Sequence, residues 1–350
     1  MAARLRTHYP WASGPLIVGA PMRILSGPAL AVAVSRAGGL GFLGPRASTQ
    51  EMGADLEEAA KLLAKAPRLI NASSTASRLA IGVGFQLWAD DVNVAVDHIQ
   101  RFRPCAAWLY APRSLAELAD WSLKIRKSVP ETQIWVQIGT LGEAKQLLRI
   151  PVLPDVVVVQ GAESGGHGRA ADGVGLMTLF PEVADLLADS QVPLLAAGGI
   201  ADGRGVAAAL GLGAAGIVMG TRFLASHEAR ISHGYQDAIL QASDGARSTA
   251  RTLLYNHLRG TFGWPPEYSP RTIINKSFTE LQDGVAFEEL KKRHDEAQQM
   301  GDSGWGPDGR LATYAGASVG LINQVMAADE IVREVRTGAM KRLRSISAEE

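Results

Sequence analysis

The sequence predicts an α/β protein of the closed (β/α)8 class, a TIM barrel, with a mainly helical insertion after the eighth strand on the catalytic face. Three observations carry this. Eight short apolar, β-branched runs alternate with helical stretches, the pattern that produces a parallel sheet, and eight is the number that closes a barrel. Two late runs each end in glycine, Pro193-Leu194-Leu195-Ala196-Ala197-Gly198-Gly199 and Gly216-Ile217-Val218-Met219-Gly220-Thr221. That is the arrangement of a phosphate grip on the last two strands of such a barrel. The competing open, doubly wound sheet lacks its main support, because no early G-x-G-x-x-G follows the first strand.

The predicted strands are Leu16–Ala20, Gly39–Leu43, Ala80–Phe85, Ala106–Tyr110, Gln133–Ile138, Asp155–Gln160, Pro193–Ala197 and Gly216–Met219. Between them lie predicted helices over Ala29–Arg36, Gln50–Ala64, Val92–Phe102, Ser114–Lys127, Leu141–Leu148, Leu176–Ala188 and Gly203–Leu212, several opened by Thr, Asp or Ser caps. The first backbone N–H groups of the last of these are expected to be free to hold an anion. After Phe223 the chain becomes more polar, carries the turns Trp264-Pro265-Pro266 and Trp305-Gly306-Pro307, and shows helical periodicity around Phe287–Met300. Residues 226–310 are therefore expected to form a helical lid. Tyr314–Val335 then reads as a helix that closes the outer ring, so that residues 1–225 and 311–340 make the barrel and 341–350 a flexible tail.

A chain of 350 residues with 47% apolar and 20% charged content has enough apolar surface for one large core. Lys plus Arg and Asp plus Glu both number 35, so no net field favours nucleic acid or an anionic membrane. Small molecules are the expected partners, with a homodimer as the assembly to test. The single cysteine, Cys105, fits a reducing compartment. The basic segment before Pro10 has no apolar core of a secretory signal, and the long uncharged run Gly205–Thr221 is broken by glycines. A cytoplasmic protein is expected.

Barrels of this class place chemistry at the C-terminal strand ends. The first strand ends in Pro21-Met22, which would lie against a flat ring. Three others end at Gln86, Gln137 and Gln160, paired donors and acceptors of the kind that read the edge of a heteroaromatic ring. The sixth strand runs on into a loop, Gln160-Gly161-Ala162-Glu163-Ser164-Gly165-Gly166-His167-Gly168-Arg169. Its glycines permit close ligand approach, and His167 is the imidazole at a strand end, suited to take a proton or orient an anion. His227, His233, His257 and His294 fall in the insertion without metal-ligand spacing, and Glu163 and Asp172 read as structural carboxylates.

On Ala20-Pro21-Met22, Leu30 through Gly41, Gln160 through His167 and the two phosphate-grip segments, the chain resembles the nitronate monooxygenase family of FMN-dependent barrel flavoproteins. The resemblance implies that Gly165, Gly166, Gly198, Gly199, Gly220 and Thr221 surround the FMN phosphate and that Pro21, Met22 and Met219 flank the flavin. It also implies that His167 either deprotonates a nitroalkane or binds its nitronate anion, which FMN and O2 convert to a carbonyl compound and nitrite. The chain departs from the family pattern in two places. Gly84 stands in Gly82-Val83-Gly84-Phe85 where many members have asparagine, and Gln137 stands where bacterial members carry a lysine. Two other readings share the barrel: an NAD(P)H-dependent FMN reductase of the enoyl-thioester type, and a binder of a phosphorylated metabolite without redox activity.

Overall fold

The computed structural model describes residues 2–65 and 78–347. Eight parallel strands form a closed barrel in the order β1 (Leu16–Gly19), β2 (Leu40–Leu43), β3 (Leu79–Gln86), β4 (Pro104–Tyr110), β5 (Gln133–Ile138), β6 (Val156–Gln160), β8 (Leu194–Ala197) and β9 (Gly216–Met219). The ring closes where Leu16–Gly19 pairs in register with Gly216–Met219. Every predicted barrel strand and intervening helix is present, with ends displaced by at most a few residues. Side-chain caps fix several helix starts: Asp91, Ser114, Thr140 and Asp202 each accept backbone N–H groups of the first turn.

Strand alternation makes two cores. Leu16, Val18, Phe42, Trp108, Trp135, Val158, Leu195 and Val218 fill the barrel, whereas Ile17, Val83, Val157, Val159, Ile217 and Met219 point outward beneath the helices. Inside, Phe42 packs edge-on against Trp108 at 5.2 Å between ring centroids, and Trp108 stacks on Trp135 at 5.7 Å. The bottom is plugged by the first helix, Ala2–His8, and by Tyr9, whose hydroxyl accepts the Trp135 indole N–H at 2.7 Å.

Three features differ from the sequence expectations. The segment Gly166–His167–Gly168–Arg169, expected as loop, is a strand, β7. It pairs antiparallel with β11 (Tyr268–Ile273), which pairs with β10 (Thr249–Arg251), so a small second sheet ties the insertion to the barrel mouth. The last helix spans only Ala328–Ser347. Upstream of it, side chains and loops take the backbone groups that a helix would use: Tyr235 Oη accepts Tyr314 N–H, Thr221 Oγ1 accepts Gly316 N–H, and Glu163 O accepts Ala317 N–H. That helix also runs through residues 341–347 of the expected tail, and residues 348–350 lie outside the described residues. It packs on both Pro28–Arg36 and Gly203–Gly211, closing the outer ring. Among the described residues no helix is long and apolar enough to cross a membrane.

Candidate active site

A cavity of about 400 Å³ opens at the C-terminal mouth of the barrel, and the strand ends build its floor and walls. Ala20, Trp108, Ala197 and Val218 form the floor, and Pro21 and Met22 line it after β1. Met22 is fixed by Ser26, whose hydroxyl accepts its N–H at 2.8 Å. Gly84 lies directly behind this turn: a Cβ there would sit 2.3 Å from Pro21 Cβ. In this chain the Pro21 wall leaves no space for a side chain at Gly84.

The three glutamines converge on the cavity. Gln86 Oε1 accepts from Arg23 at 3.0 Å, and the buried Gln137 accepts the Trp108 indole N–H at 3.1 Å. Each carbonyl is thereby committed, which turns the amide ends of Gln86 and Gln137 into donors. Gln160 also lines the cavity.

Opposite them, glycines form a cradle. Gly166, Gly198 and Gly199 have φ of 65°, 95° and 73°, which side chains rarely adopt. A Cβ at Gly198 would sit 2.8 Å from Gly161 O, and one at Gly165 2.5 Å from Ala315 C, while nothing lies within 4 Å of one at Gly166. Gly220 and Thr221 complete this wall. The backbone N–H groups of Gly199, Gly220 and Thr221 have no acceptor among the described residues.

Two expected parts of the grip lie elsewhere. The N–H groups of Arg204 and Gly205, at the start of helix Gly203–Gly211, are taken by Asp202 Oδ1 at 2.8 and 3.3 Å, so that helix end is not free for an anion. Met219 points into the layer beneath the helices, 1% exposed, because its neighbour Val218 faces the barrel interior. It does not line the cavity.

His167 is the second residue of β7, and the insertion surrounds it. Its ring stacks on the indole of Trp264, its Nε2 is 2.9 Å from the amide nitrogen of Asn256, and its carbonyl accepts the Tyr110 hydroxyl at 2.9 Å. Burial pushes its pKa down to about 3, and the charges of Arg259, Arg251 and Arg23 act in the same direction. Arg251 holds the loop that carries it, donating to the carbonyls of Ala162, Ser164, Gly166 and Ser269 and to Ser164 Oγ. Arg23 and Arg259 lie on the cavity wall, and no Asp, Glu or Lys does so among the described residues. Of the carboxylates in the loop, Glu163 accepts the N–H of Leu176 and Asp172 pairs with Arg169, both structural roles.

Sequence reasoning did not identify Asn256, Trp264, Arg251, Arg259 or Tyr110. The Trp264-Pro265-Pro266 turn was visible as a turn, but only β11 brings it over His167.

The sequence model of the nitronate monooxygenase family matches residues 118–336. Nitronate monooxygenase npaC of Metarhizium robertsii is 57% identical over 345 residues, covering 98% of this chain and 96% of that one. A nitronate monooxygenase of Neurospora crassa is 32% identical, covering 99% and 94%. FabK from Thermotoga maritima has a similar fold, with a TM-score of 0.74, 24% identity and 99% of both chains covered. On the family match and these identities over nearly the whole chain, the protein belongs to the nitronate monooxygenase family.

Proposed function

We propose that this oxidoreductase binds FMN in the barrel mouth and oxidises alkyl nitronates with O2 to carbonyl compounds and nitrite, with His167 orienting the nitronate. The observation that carries the reading is the cavity itself: cationic, free of carboxylates among the described residues, and holding a neutral imidazole at its wall. An anion gains there what a neutral carbon acid does not.

The residues fit FMN on their own chemistry. Gly165, Gly166, Gly198 and Gly199 leave the space a phosphate needs, and the open N–H groups of Gly199, Gly220 and Thr221 are the donors it requires. Pro21 and Met22 offer an apolar face to an isoalloxazine ring, and Gln86, Gln137 and Gln160 offer polar groups to its edge. FMN when bound supplies the one-electron oxidation and the reaction with O2. The chain supplies the rest. Arg23 and Arg259 draw the anion in, His167 gives it a hydrogen-bond donor, and Trp264 covers the imidazole and limits water around it. A base with a pKa of about 3 is too weak to take a proton from a neutral nitroalkane efficiently at neutral pH, which supports the orienting role over the base role.

The test is the visible spectrum of the purified protein before and after anaerobic addition of an alkyl nitronate. Flavin bands that bleach on addition support the reading. Bands that respond only to NADPH or NADH replace it with a reductase, and a colourless protein that binds no added FMN replaces it with a phosphate-metabolite binder.

A further inference from the structure

Asn256 lies on the short helix Leu254–Leu258 of the insertion, 2% exposed, far in sequence from the strand that carries His167. Its amide nitrogen faces Nε2 of His167 at 2.9 Å. An amide nitrogen bears hydrogens and no available lone pair, so it donates, and Nε2 must accept. A neutral imidazole that accepts at Nε2 carries its proton on Nδ1. Both ring nitrogens are then committed, one as a lone pair in use and one as an N–H.

The surroundings hold the ring in that state. The stacked indole of Trp264 fixes the ring plane, with Tyr314 6.0 Å away between centroids. Arg259 comes from the insertion, Arg251 from β10 and Arg23 from the turn after β1, and with burial all three oppose a second proton; the Asn256 contact would favour one only through its amide oxygen, and it is the amide nitrogen that faces the ring. No carboxylate lies on the cavity wall, among the described residues, to favour an imidazolium.

We propose that Asn256 is a positioning residue that keeps His167 as the Nδ1–H tautomer with no free lone pair, so that the site accepts a nitronate anion and does not generate one from a neutral nitroalkane. This deepens the functional reading above and rests on it for the substrate. Selectivity between two protonation states of one carbon acid is thereby assigned to a side chain outside the barrel.

The experiment uses FMN-loaded protein labelled with ¹⁵N-histidine, with His167→Gln to assign the ring signals, and the variants Asn256→Ala and Asn256→Asp. In the wild type the His167 Nε2 signal is expected at the position of an unprotonated nitrogen near neutral pH. In Asn256→Asp, which is nearly isosteric but can only accept, the proton should move to Nε2 and the ring should titrate at higher pH. Asn256→Ala should lower the ratio of kcat/KM for a nitronate to kcat/KM for its parent nitroalkane at least tenfold, with flavin content unchanged. A protonated Nε2 in the wild type, or a tautomer that stays the same in Asn256→Asp, overturns the proposal. So does an unchanged ratio in flavin-replete Asn256→Ala. Absence of nitronate turnover in the wild type would instead overturn the functional reading, and the ring signals would still report what Asn256 does to His167.

Discussion

The imidazole of His167 lies flat on the indole of Trp264, with ring centroids 3.6 Å apart and planes 4° from parallel. One ring comes from β7, which follows the sixth barrel strand, and the other from the insertion, so the contact joins the two parts at the wall of the cavity. A stacked pair of this kind contributes about 0.5–1.5 kcal/mol beyond its burial and, more to the point, keeps water from one face of the imidazole. Trp264→Ala should therefore let the His167 pKa climb from about 3 toward the ordinary histidine value. Profiles of kcat/KM against pH for a nitronate should lack a His167 limb above pH 5 in the wild type and gain one in the variant.

The same depressed pKa has a sign for stability. The unfolded chain protonates this histidine near its ordinary pKa of about 6.5, whereas the folded chain waits until about 3. Between those values the unfolded state binds more protons, so stability falls as pH falls, at up to about 1.4 kcal/mol per pH unit from this group. Urea melts at pH 7 and pH 5 should show a smaller acid loss in His167→Gln than in the wild type. At pH 7.5, His167→Gln should keep its flavin and lose at least a hundredfold in kcat/KM for nitronates.

Glycine substitutions separate the cradle's backbone geometry from its contact with the cofactor. Gly198→Ala forces a side chain into positive φ and to within 2.8 Å of Gly161 O, so it should destabilise the protein by about 2–4 kcal/mol and shed FMN. Gly166→Ala meets no protein atom within 4 Å and should cost only the backbone strain of its positive φ, about 1–2 kcal/mol, in the flavin-free protein. Any tenfold or larger loss of FMN affinity in Gly166→Ala, read by fluorescence titration, then measures the close approach of the cofactor.

Asp202→Ala tests where the phosphate does not sit. Removing the cap of helix Gly203–Gly211 should cost about 1 kcal/mol, read from the urea midpoint. FMN affinity should stay within twofold of the wild type if, as proposed, the phosphate is held at Gly198, Gly199 and Gly220.

Arg251→Met should be the most disruptive change outside the barrel. It removes donors from the carbonyls of Ala162, Ser164, Gly166 and Ser269 and from the Ser164 hydroxyl, of which Ala162 O keeps a second side-chain donor, Arg271. A loss of about 3–5 kcal/mol in stability and weakened flavin retention are expected. Arg251→Lys, with one compact charge in place of a planar fork, should recover only part of both.

Most of the barrel was legible because it is local. Each strand is a short apolar run and several helices open on their own cap, so neither needs distant information. The glycines of the cradle were legible for the same reason. His167 stood out because its loop is unlike its neighbours, but its strand conformation was invisible, since the partner strand Tyr268–Ile273 lies in another part of the chain. The direction of Met219 was hidden by burial on both faces of the sheet, which erases the polar alternation that would have shown it. Asp202 carried its own warning, as a residue that caps a helix also occupies the N–H groups an anion would need. Asn256 and Arg251 have unremarkable local contexts and Trp264 shows only as part of a turn; all three acquire meaning only through the second sheet.

That second sheet also dictates when the site can come into being. On a ribosome, Gly166–Arg169 emerges about a hundred residues before the strand that must lie beside it. At the usual elongation rates the interval is about 5 to 20 s. During it a nascent chain can close most of its barrel around β1 to β6 while the histidine strand waits with an open edge, a segment at risk of pairing with another chain. Truncations that stop before Ile273 should therefore yield soluble barrel poorly, and co-expressed chaperones should matter most for exactly those lengths.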